Sequence, residues 1–349
     1  MGLHDPDNAV GFEAAGNGRL SMSVNGGGPP VLGIDLGGTK ILAGVVSPEN
    51  RILGRAKRPT PAQEGAEAIL KTIVECLDEA LTAAGLTRND IAAAGVGSPG
   101  PLDSETGTIL FSANLNVQNF TLGPSLASIL SRPVTVQNDV RVGGYGEFRL
   151  GAGQGYQNLI AAFVGTGIGG CLVSDGHIVT GSTGNAGEIG HIIVKAGGPK
   201  CGCGALGCME ALASRTAITR RVMKAISKGR PTVLADKISR KSGRLKSGDL
   251  AAAVAAGDLV AVKEVERAAY YLGLGLGSLI NVFGPEIVII GGGVAEAIGE
   301  PFVELVRKTA REQALADRGG TIPIALAALG DDAGIHGAAL LAREKFVGD

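Results

Sequence analysis

Tryptophan is absent from this chain of 349 residues, and aromatic residues make up only 3% of it. A ligand that stacks between several aromatic rings is therefore not expected. The net charge of −1 offers no basic excess for nucleic acid or for an anionic membrane, so we expect neither partner. The longest weakly charged run, 272–299, is broken by Asn281, Pro285 and Glu286, which argues against a membrane span and favours a cytoplasmic protein.

Cysteine is scarce and unevenly placed, which argues against a disulfide framework. There are five cysteines, an odd number, and three of them fall within eight residues at Cys201, Cys203 and Cys208. His191 lies ten residues before the first of these. Three thiolates and one imidazole form a ligand set that is typical of closed, tetrahedral zinc sites, which are structural and not hydrolytic. The alternative is a group of three buried thiols without a metal.

Glycine, by contrast, is abundant at 57 residues, and two glycine clusters each lie between two predicted strands. The first turn joins strands over 31–35 and 41–46, and the second joins strands over 158–164 and 171–174. A Walker A loop or a dinucleotide fingerprint needs a helix after the turn, and no helix is predicted at either place. The backbone N–H groups of such turns can instead bind a phosphate. The turn residues are Gly37, Gly38, Thr39 and Lys40 in the first case and Gly165, Thr166 and Gly167 in the second.

The repeated turn predicts two related halves that hold one nucleotide between them, although an ordinary hairpin turn is the alternative for either turn alone. A third cluster, Gly291, Gly292 and Gly293, follows a β-branched run at 286–290 that is typical of a strand buried on both faces. Backbone at the carboxyl end of such a strand is a frequent nucleotide site. A purely structural turn is the alternative there.

The candidate chemistry lies on carboxylates between these turns. A predicted strand over 134–138 ends on Asn138 and Asp139, just before a predicted helix over 140–150. Asp139 is therefore either the N-cap of that helix or a general base at the carboxyl end of a strand. Two further carboxylates are interleaved with the metal ligands. We expect the metal loop to present Glu188, His191 and Glu210 to a small polyhydroxylated substrate.

Taken together, these motifs resemble the ROK family of bacterial sugar kinases and related repressors over residues 30–345. The matching motifs are DLGGTK at 35–40, SPGPLD at 98–103, ND at 138–139, GTGIGG at 165–170, GEIGH at 187–191, CGCGALGCME at 201–210 and IGGGV at 290–294. The resemblance implies an α/β actin-like ATPase (ribonuclease H-like) fold, with two α/β domains flanking a cleft. We assign 1–29 to a disordered tail, 30–140 with 331–349 to the N-terminal domain, and 141–330 to the C-terminal domain.

The resemblance also implies roles for individual residues. Asp139 would be the base that takes the proton from the 6-hydroxyl of a sugar, and Asp35 would lie near Mg²⁺. His191 would place one ring nitrogen on zinc and the other toward the sugar. The three glycine turns would form the phosphate and adenosine sites. The residues implied to bind the other sugar hydroxyls are Asn114, Asn138, Glu188, His191 and Glu210.

We therefore expect phosphorylation of a hexose at its 6-hydroxyl, with ATP and Mg²⁺. Glucose comes first, because the motif spellings look most like those of the family's glucokinases. N-acetylmannosamine or N-acetylglucosamine is the alternative, because the family's kinases of those sugars share the equivalents of Glu188, His191 and Glu210. The family's glucokinases often show an aromatic residue near Asn119, and the different stretch 117–120 leaves open the 2-position pocket that separates glucose from N-acetyl sugars. Inorganic polyphosphate remains an alternative donor, and the family implies a homodimer. The alternative of another class is a sugar-sensing regulator without catalysis. The family's repressors resemble a kinase body preceded by a helix-turn-helix domain, whereas the 29 residues before the first strand here are not basic and are too few for such a domain.

Overall fold

A computed structural model describes residues 28–238, 243–315 and 321–348 of the chain. The disordered tail predicted over 1–29 lies outside the described residues, apart from Gly28 and Pro29. None of the helices in the described part combines the length and the apolar character that a bilayer crossing needs.

The first of two five-stranded sheets contains both strands of the first predicted hairpin. Its order is β3-β2-β1-β4-β8. β1, β2 and β3 form an antiparallel meander, whereas β4 and β8 run parallel to β1. The strands are β1 (Val31–Leu36), β2 (Lys40–Val46), β3 (Ile52–Pro59), β4 (Ala94–Ser98) and β8 (Val134–Asn138).

The second five-stranded sheet repeats this plan. Its order is β11-β10-β9-β12-β13, again with an antiparallel hairpin followed by two parallel strands. A small third sheet of β5 (Leu102–Asp103), β6 (Thr108–Ser112) and β7 (Val117–Phe120) lies in the chain between β4 and β8. The strands of the second sheet are β9 (Leu159–Val164), β10 (Ile168–Ser174), β11 (His177–Ile178), β12 (Ile287–Gly291) and β13 (Ile324–Leu326).

Ten helices of the described residues cover these sheets. In α1, apolar side chains recur at Ile69, Ile73, Leu77 and Leu81 and are buried, as the helical spacing predicts. The helix α1 begins directly after Gly65, and α2 begins at Leu122. The helices are α1 (Ala66–Ala83), α2 (Leu122–Leu130), α3 (Asp139–Leu150), α4 (Met209–Ala213), α5 (Arg215–Ser227), α6 (Ser247–Ala255), α7 (Leu259–Phe283), α8 (Gly293–Ile298), α9 (Glu300–Gln313) and α10 (Ala333–Phe346).

The helix α10 packs on the first sheet, although it follows the strands of the second sheet in the chain. A Cβ atom on Gly33 of β1 would lie 2.0 Å from the carbonyl oxygen of Ile335, and one on Gly95 of β4 would lie 1.9 Å from that of Ala338. Helix and sheet backbones therefore touch at positions where no larger residue fits. The side chains of Ile335 and Ala339 are fully buried in this contact.

Candidate active site

A cavity of about 690 Å³ borders both large sheets and brings together half of the predicted site residues. Its lining includes the ends of β8 and β9, the stretch 181–191 and the start of α4. The predicted residues that line it are Asn114, Asn138, Asp139, Gly165, Thr166, Gly167, Glu188, His191, Glu210 and Gly292. The predicted residues outside its lining are Asp35, Gly37, Gly38, Thr39, Lys40, Gly291 and Gly293, besides the three cysteines.

Asp139 is the first residue of α3, and it is not the N-cap. That position belongs to Asn138, whose Oδ1 accepts hydrogen bonds from the N–H groups of Val140 at 3.1 Å and Arg141 at 3.3 Å. Asp139 borders the cavity, yet the surrounding protein removes most of its hydration and raises its pKa to about 7. Desolvation is the largest cause of this rise in pKa, and the charge of Asp35 is the second. A carboxylate with a pKa close to neutrality suits a general base.

Asp35 lies at the end of β1, close enough to Asp139 for the two charges to interact. Desolvation raises the pKa of Asp35 to about 6, and the positive charge of Lys40 opposes this shift. The ammonium group of Lys40 is itself bonded to Asp331, at 2.6 Å from Nζ to Oδ1. A Cβ atom on Gly334 would lie 2.8 Å from Cγ of Asp35, so the first turn of α10 packs directly on this carboxyl group.

The first glycine turn joins β1 to β2, as predicted, and lies beside the cavity wall. The N–H of Gly37 donates to the carbonyl of Lys40 at 2.9 Å, and the Thr60 hydroxyl donates to the carbonyl of Gly37 at 2.6 Å. A Cβ atom on Gly38 would lie 3.2 Å from Cβ of Asn114, which lines the cavity. The turn is therefore tightly held, and it approaches the cavity through Asn114.

The second glycine turn joins β9 to β10, also as predicted, and itself lines the cavity. The guanidinium of Arg215 donates through Nη2 to Oγ1 of Thr166 at 2.7 Å, and the hydroxyl of Thr216 donates to the Thr166 carbonyl at 2.7 Å. The N–H of Arg215 donates to the carbonyl of Gly165 at 2.9 Å. The start of α5 therefore holds this turn in place. Arg215 was not among the residues predicted from the sequence.

The third glycine turn follows β12 and contributes one residue to the cavity. Gly292 is the N-cap of α8 with φ of +84°, and a Cβ atom there would lie 2.6 Å from the backbone nitrogen of Val164. No larger residue fits that position. Gly291 packs against the ring of Phe163, and Gly293 lies beside Ser247.

Glu188, His191 and Glu210 line the same cavity as the start of α3. Glu188 precedes a short 3₁₀ turn, Ile189–His191, and its carbonyl accepts the N–H of His191 at 3.1 Å. Glu210 lies in α4, and its Oε2 accepts the N–H of Ile168 at 3.0 Å. This bond connects the wall to the β9–β10 turn.

The cysteine and histidine side chains that the sequence singles out converge on one point. The ligand atoms of His191, Cys201, Cys203 and Cys208 all lie within 4.8 Å of one another. Sγ of Cys201 is 3.7 Å from Nδ1 of His191, and Sγ of Cys203 is 3.7 Å from Sγ of Cys208. A tetrahedral ion with bonds of about 2.3 Å to sulfur separates its ligands by about this distance. The donor set and its spacing therefore fit a zinc ion.

A second cavity, of about 510 Å³, adjoins the first and shares Thr166 with it. Its charged lining residues are all arginines, Arg215, Arg220 and Arg244. No carboxylate lines it within the part of the chain that the structure describes, so it favours an anionic ligand. This cavity was missed in the sequence, because its lining comes from three separate segments with no common motif. The remaining lining residues are Thr216, Thr219, Met223, Gly243 and Leu245.

The two large sheets share one strand order, both border the cleft, and each of their hairpins has a glycine turn. These features define a member of the actin-like ATPase fold class. Within that class, the chain belongs to the ROK family, whose family model matches residues 31–345. The resemblance stated from the motifs is thereby confirmed, and so is the fold class.

Named relatives include both kinases and regulators. A glucokinase of Halalkalibacterium halodurans is 34% identical over 315 residues, which are 90% of this chain and 95% of that protein. A crystal structure of a ROK family glucokinase from Streptomyces griseus, in complex with glucose and AMPPNP, is 35% identical with a TM-score of 0.78 and covers 90% of this chain and 99% of that one. A crystal structure of a ROK family transcriptional regulator, a homologue of the E. coli MLC protein, is 29% identical with a TM-score of 0.78, covering 89% of this chain and 77% of that one.

Proposed function

We propose that this protein is a glucokinase, which transfers the terminal phosphoryl group of ATP to the 6-hydroxyl of glucose. The observation that carries the proposal is Asp139, a carboxylate with a pKa of about 7 in a cavity that is also lined by a glycine turn and by hydroxyl-binding side chains. Glucokinases that are 34–35% identical over 90% of the chain support the choice of glucose and ATP.

In the proposed mechanism, Asp139 accepts the proton of the sugar's 6-hydroxyl while the oxygen attacks the terminal phosphorus. The bond from that phosphorus to its bridging oxygen breaks, and ADP leaves. Phosphoryl transfer depends mainly on positioning and on stabilisation of charge. Backbone N–H groups of the turn around Thr166 supply part of that stabilisation.

The sugar is held by side chains whose hydrogen-bonding capacity is only partly used within the protein. Oδ1 of Asn138 is occupied by the first turn of α3, which leaves its Nδ2 to donate to a sugar hydroxyl. Oε2 of Glu210 is bonded to Ile168, and Oε1 lies 3.6 Å from Sγ of Cys201 but keeps a second lone pair to accept from a sugar hydroxyl. Glu188 and the second ring nitrogen of His191 complete this binding wall, with Asn114 opposite them.

We propose that ATP extends from the turn around Thr166 into the second cavity, with its phosphates near the arginines and its nucleoside beyond them, and that the third glycine turn borders its path. The shared residue Thr166 connects this cavity to the place where the terminal phosphate would lie. Mg²⁺ with ATP would be held near Asp35, where it neutralises phosphate charge. Asp35 and Asp139 both have raised pKa values, so a bound cation would relieve the repulsion between them.

We further propose a zinc ion on His191, Cys201, Cys203 and Cys208, with a structural role. Such an ion fixes the rotamer of His191 and the start of α4, and therefore the placement of Glu210. A cytoplasmic homodimer is our proposal for the protein's state in the cell, and it rests on the family alone.

The decisive experiment is an ADP-release assay with ATP and Mg²⁺ on glucose, mannose, fructose, N-acetylglucosamine and N-acetylmannosamine. We expect turnover with glucose at a kcat/KM at least tenfold above the others. Preference for an N-acetyl sugar would replace glucose in the proposal. Absence of turnover on all five sugars, with polyphosphate as well as ATP, would refute the kinase and favour a sugar-sensing regulator.

A further inference from the structure

The wall of the main cavity includes a glycine-rich stretch, 181–187, which leads directly into Glu188. We call it the rim segment. Its residues Gly184 and Asn185 line the cavity. Gly181, Gly184 and Gly187 have φ values of +68°, +74° and +86°, so the backbone enters the left-handed region three times in seven residues. Because glycine has little conformational preference, such a segment needs outside contacts to keep one shape.

Arg141 supplies those contacts. Its Nη1 donates to the carbonyl of Gly184 at 2.6 Å, and its Nη2 donates to the carbonyl of Ala186 at 2.7 Å. Among the residues that the structure describes, we find no other donor to these two oxygens. The other bonds of the rim segment's backbone are local: the N–H of Gly184 donates to Gly181 at 3.4 Å, that of Ala186 to Thr180 at 3.0 Å and that of Ile189 to Gly187 at 2.7 Å, and Nδ2 of Asn185 donates to the Thr183 carbonyl at 3.2 Å.

Arg141 connects the rim segment to the helix α3, which begins with Asp139. Arg141 lies two residues after Asp139 in α3, and its N–H is bonded to the N-cap Asn138. Gln137 supports the same group, because its Oε1 accepts from the N–H of Asn138 at 2.8 Å and from Nη1 of Arg141 at 3.4 Å. One side chain therefore joins the helix that carries the base to the segment that leads into Glu188.

An arginine makes these hydrogen bonds at a cost in free energy, because its charge is buried. Arg141 is only 5% exposed, and its hydrogen-bond acceptors are three neutral oxygens. Desolvation lowers its pKa, and the carboxylate of Glu188 opposes that shift. Burying a charge costs free energy. What arginine provides in return is a planar fork that donates two hydrogen bonds in fixed geometry, which neither lysine nor an amide can reproduce.

We propose that Arg141 is a positioning residue. It fixes the rim segment relative to Asp139, so that Asn185 and Glu188 contact the sugar while the sugar's 6-hydroxyl lies at Asp139. The kinetic consequence rests on the proposed kinase function. The tether itself is a property of the free protein. Loss of the fork frees the rim segment and weakens sugar binding, whereas the donor site on the far side of Thr166 keeps its contacts.

The experiment compares Arg141→Gln and Arg141→Lys with Arg149→Gln, a control at the other end of α3 that is bonded to Tyr145 and Glu344. Two quantities are measured on the full chain. The first is hydrogen exchange of the 181–187 amides without any substrate. The second is the pair of KM values for glucose and ATP, with circular dichroism as a check on folding.

We expect Arg141→Gln to speed amide exchange in the rim segment at least tenfold and to raise the KM for glucose at least tenfold, with the KM for ATP within twofold. Arg141→Lys should fall between this variant and the wild type, and it carries the same comparison if Arg141→Gln does not fold. Exchange and glucose KM within twofold of the Arg149→Gln values would overturn the proposal. So would equal rises in both KM values, because these would indicate a general structural role. If the wild type turns over no hexose, the kinase proposal fails and the exchange comparison alone decides whether the tether exists.

Discussion

The carboxylate of Glu210 accepts a hydrogen bond of 3.0 Å from the backbone N–H of Ile168. Glu210 lies two residues after Cys208, and Ile168 is the first residue of β10. A Cβ atom on Gly167 would lie 2.3 Å from the same carboxylate oxygen, so Glu210 also packs directly against the last residue of the turn. The proposed sugar wall and the proposed phosphate turn are therefore one bonded unit.

Glu210 is expected to affect both substrates because of this bond. Glu210→Gln keeps an acceptor for the Ile168 N–H, and we expect it to raise the KM for glucose about tenfold with little change for ATP. Glu210→Ala leaves the N–H without its partner, at a cost of about 1–3 kcal/mol in stability. Steady-state kinetics should then show a higher KM for ATP as well. Equal KM values for ATP in the two variants would contradict the connection.

Asp139→Ala is expected to lower kcat by about 10²–10⁴ while sugar binding persists, because general-base catalysis contributes about this much. Calorimetry of glucose binding would separate the two effects. A half-buried aspartate away from the base, Asp103, provides the control, because among the described residues its carboxylate bonds to the Thr106 hydroxyl and to the N–H groups of Glu105 and Thr106. If Asp139→Ala retained a tenth of the wild-type kcat, another group would be the base.

The pH dependence of kcat/KM should report the pKa of Asp139. Since the base acts when it is deprotonated, kcat/KM is expected to rise with pH and to level off above the pKa of about 7. The charge of Asp35 raises that pKa, so Asp35→Asn should move the rise to lower pH. Rates between pH 5.5 and 8.5 would test both statements. A profile that is flat in the wild type would contradict them.

Asp139→Asn is expected to stabilise the fold above neutral pH. The pKa of Asp139 is about 7 in the folded protein, against an ordinary value of 3.8 in an unfolded chain, so the folded state binds more protons between these two pH values. Its contribution to stability is therefore full below about pH 4 and lost as the pH rises through 7. We expect urea unfolding at pH 8 to show a gain of about 1–4 kcal/mol for the variant, with little gain at pH 4. A gain that is the same at both pH values would exclude this origin.

Cys203 allows a direct test of the metal site, because its side chain is exposed and its replacement costs little packing. We expect about one zinc ion per chain in the wild type and its loss in Cys203→Ser. The KM for glucose should then rise, because the ion orients His191. Cys76→Ala is the control, since Cys76 is buried in the first sheet's core far along the chain from the cluster. Metal analysis showing no zinc in the wild type would refute the site.

The sequence identifies those features that depend on neighbouring residues. Two hairpins with glycine turns are readable because glycine clusters separate β-branched runs, and the cysteine spacing leads directly to the metal cluster. The N-cap of α3 is harder, because Asn138 and Asp139 are both good caps and only the backbone decides which one turns into the helix. From the sequence alone, a general base and an N-cap residue therefore cannot be distinguished at Asp139.

Other features depend on residues that are distant in the chain. The second cavity joins Thr166, Arg215 and Arg244, and nothing in their local sequence relates them. The sequence gives one indication of Arg141, which is a charged residue two positions after Asp139, followed by Val142 and two glycines. Its partners at 184 and 186 are backbone oxygens, which carry no information in the sequence.

The contact between α10 and the first sheet has a consequence for the order of events during synthesis. Buried side chains from Val31, Leu42 and Ala93 share one cluster with Ile335 and Ala339, some 240–300 residues further along. Until residues 333–346 have left the ribosome, the glycine-lined face of β1 and β4 stays open to water. We infer that the first half of the chain waits as an incomplete domain while the second half is made, and that it needs protection from aggregation during that interval.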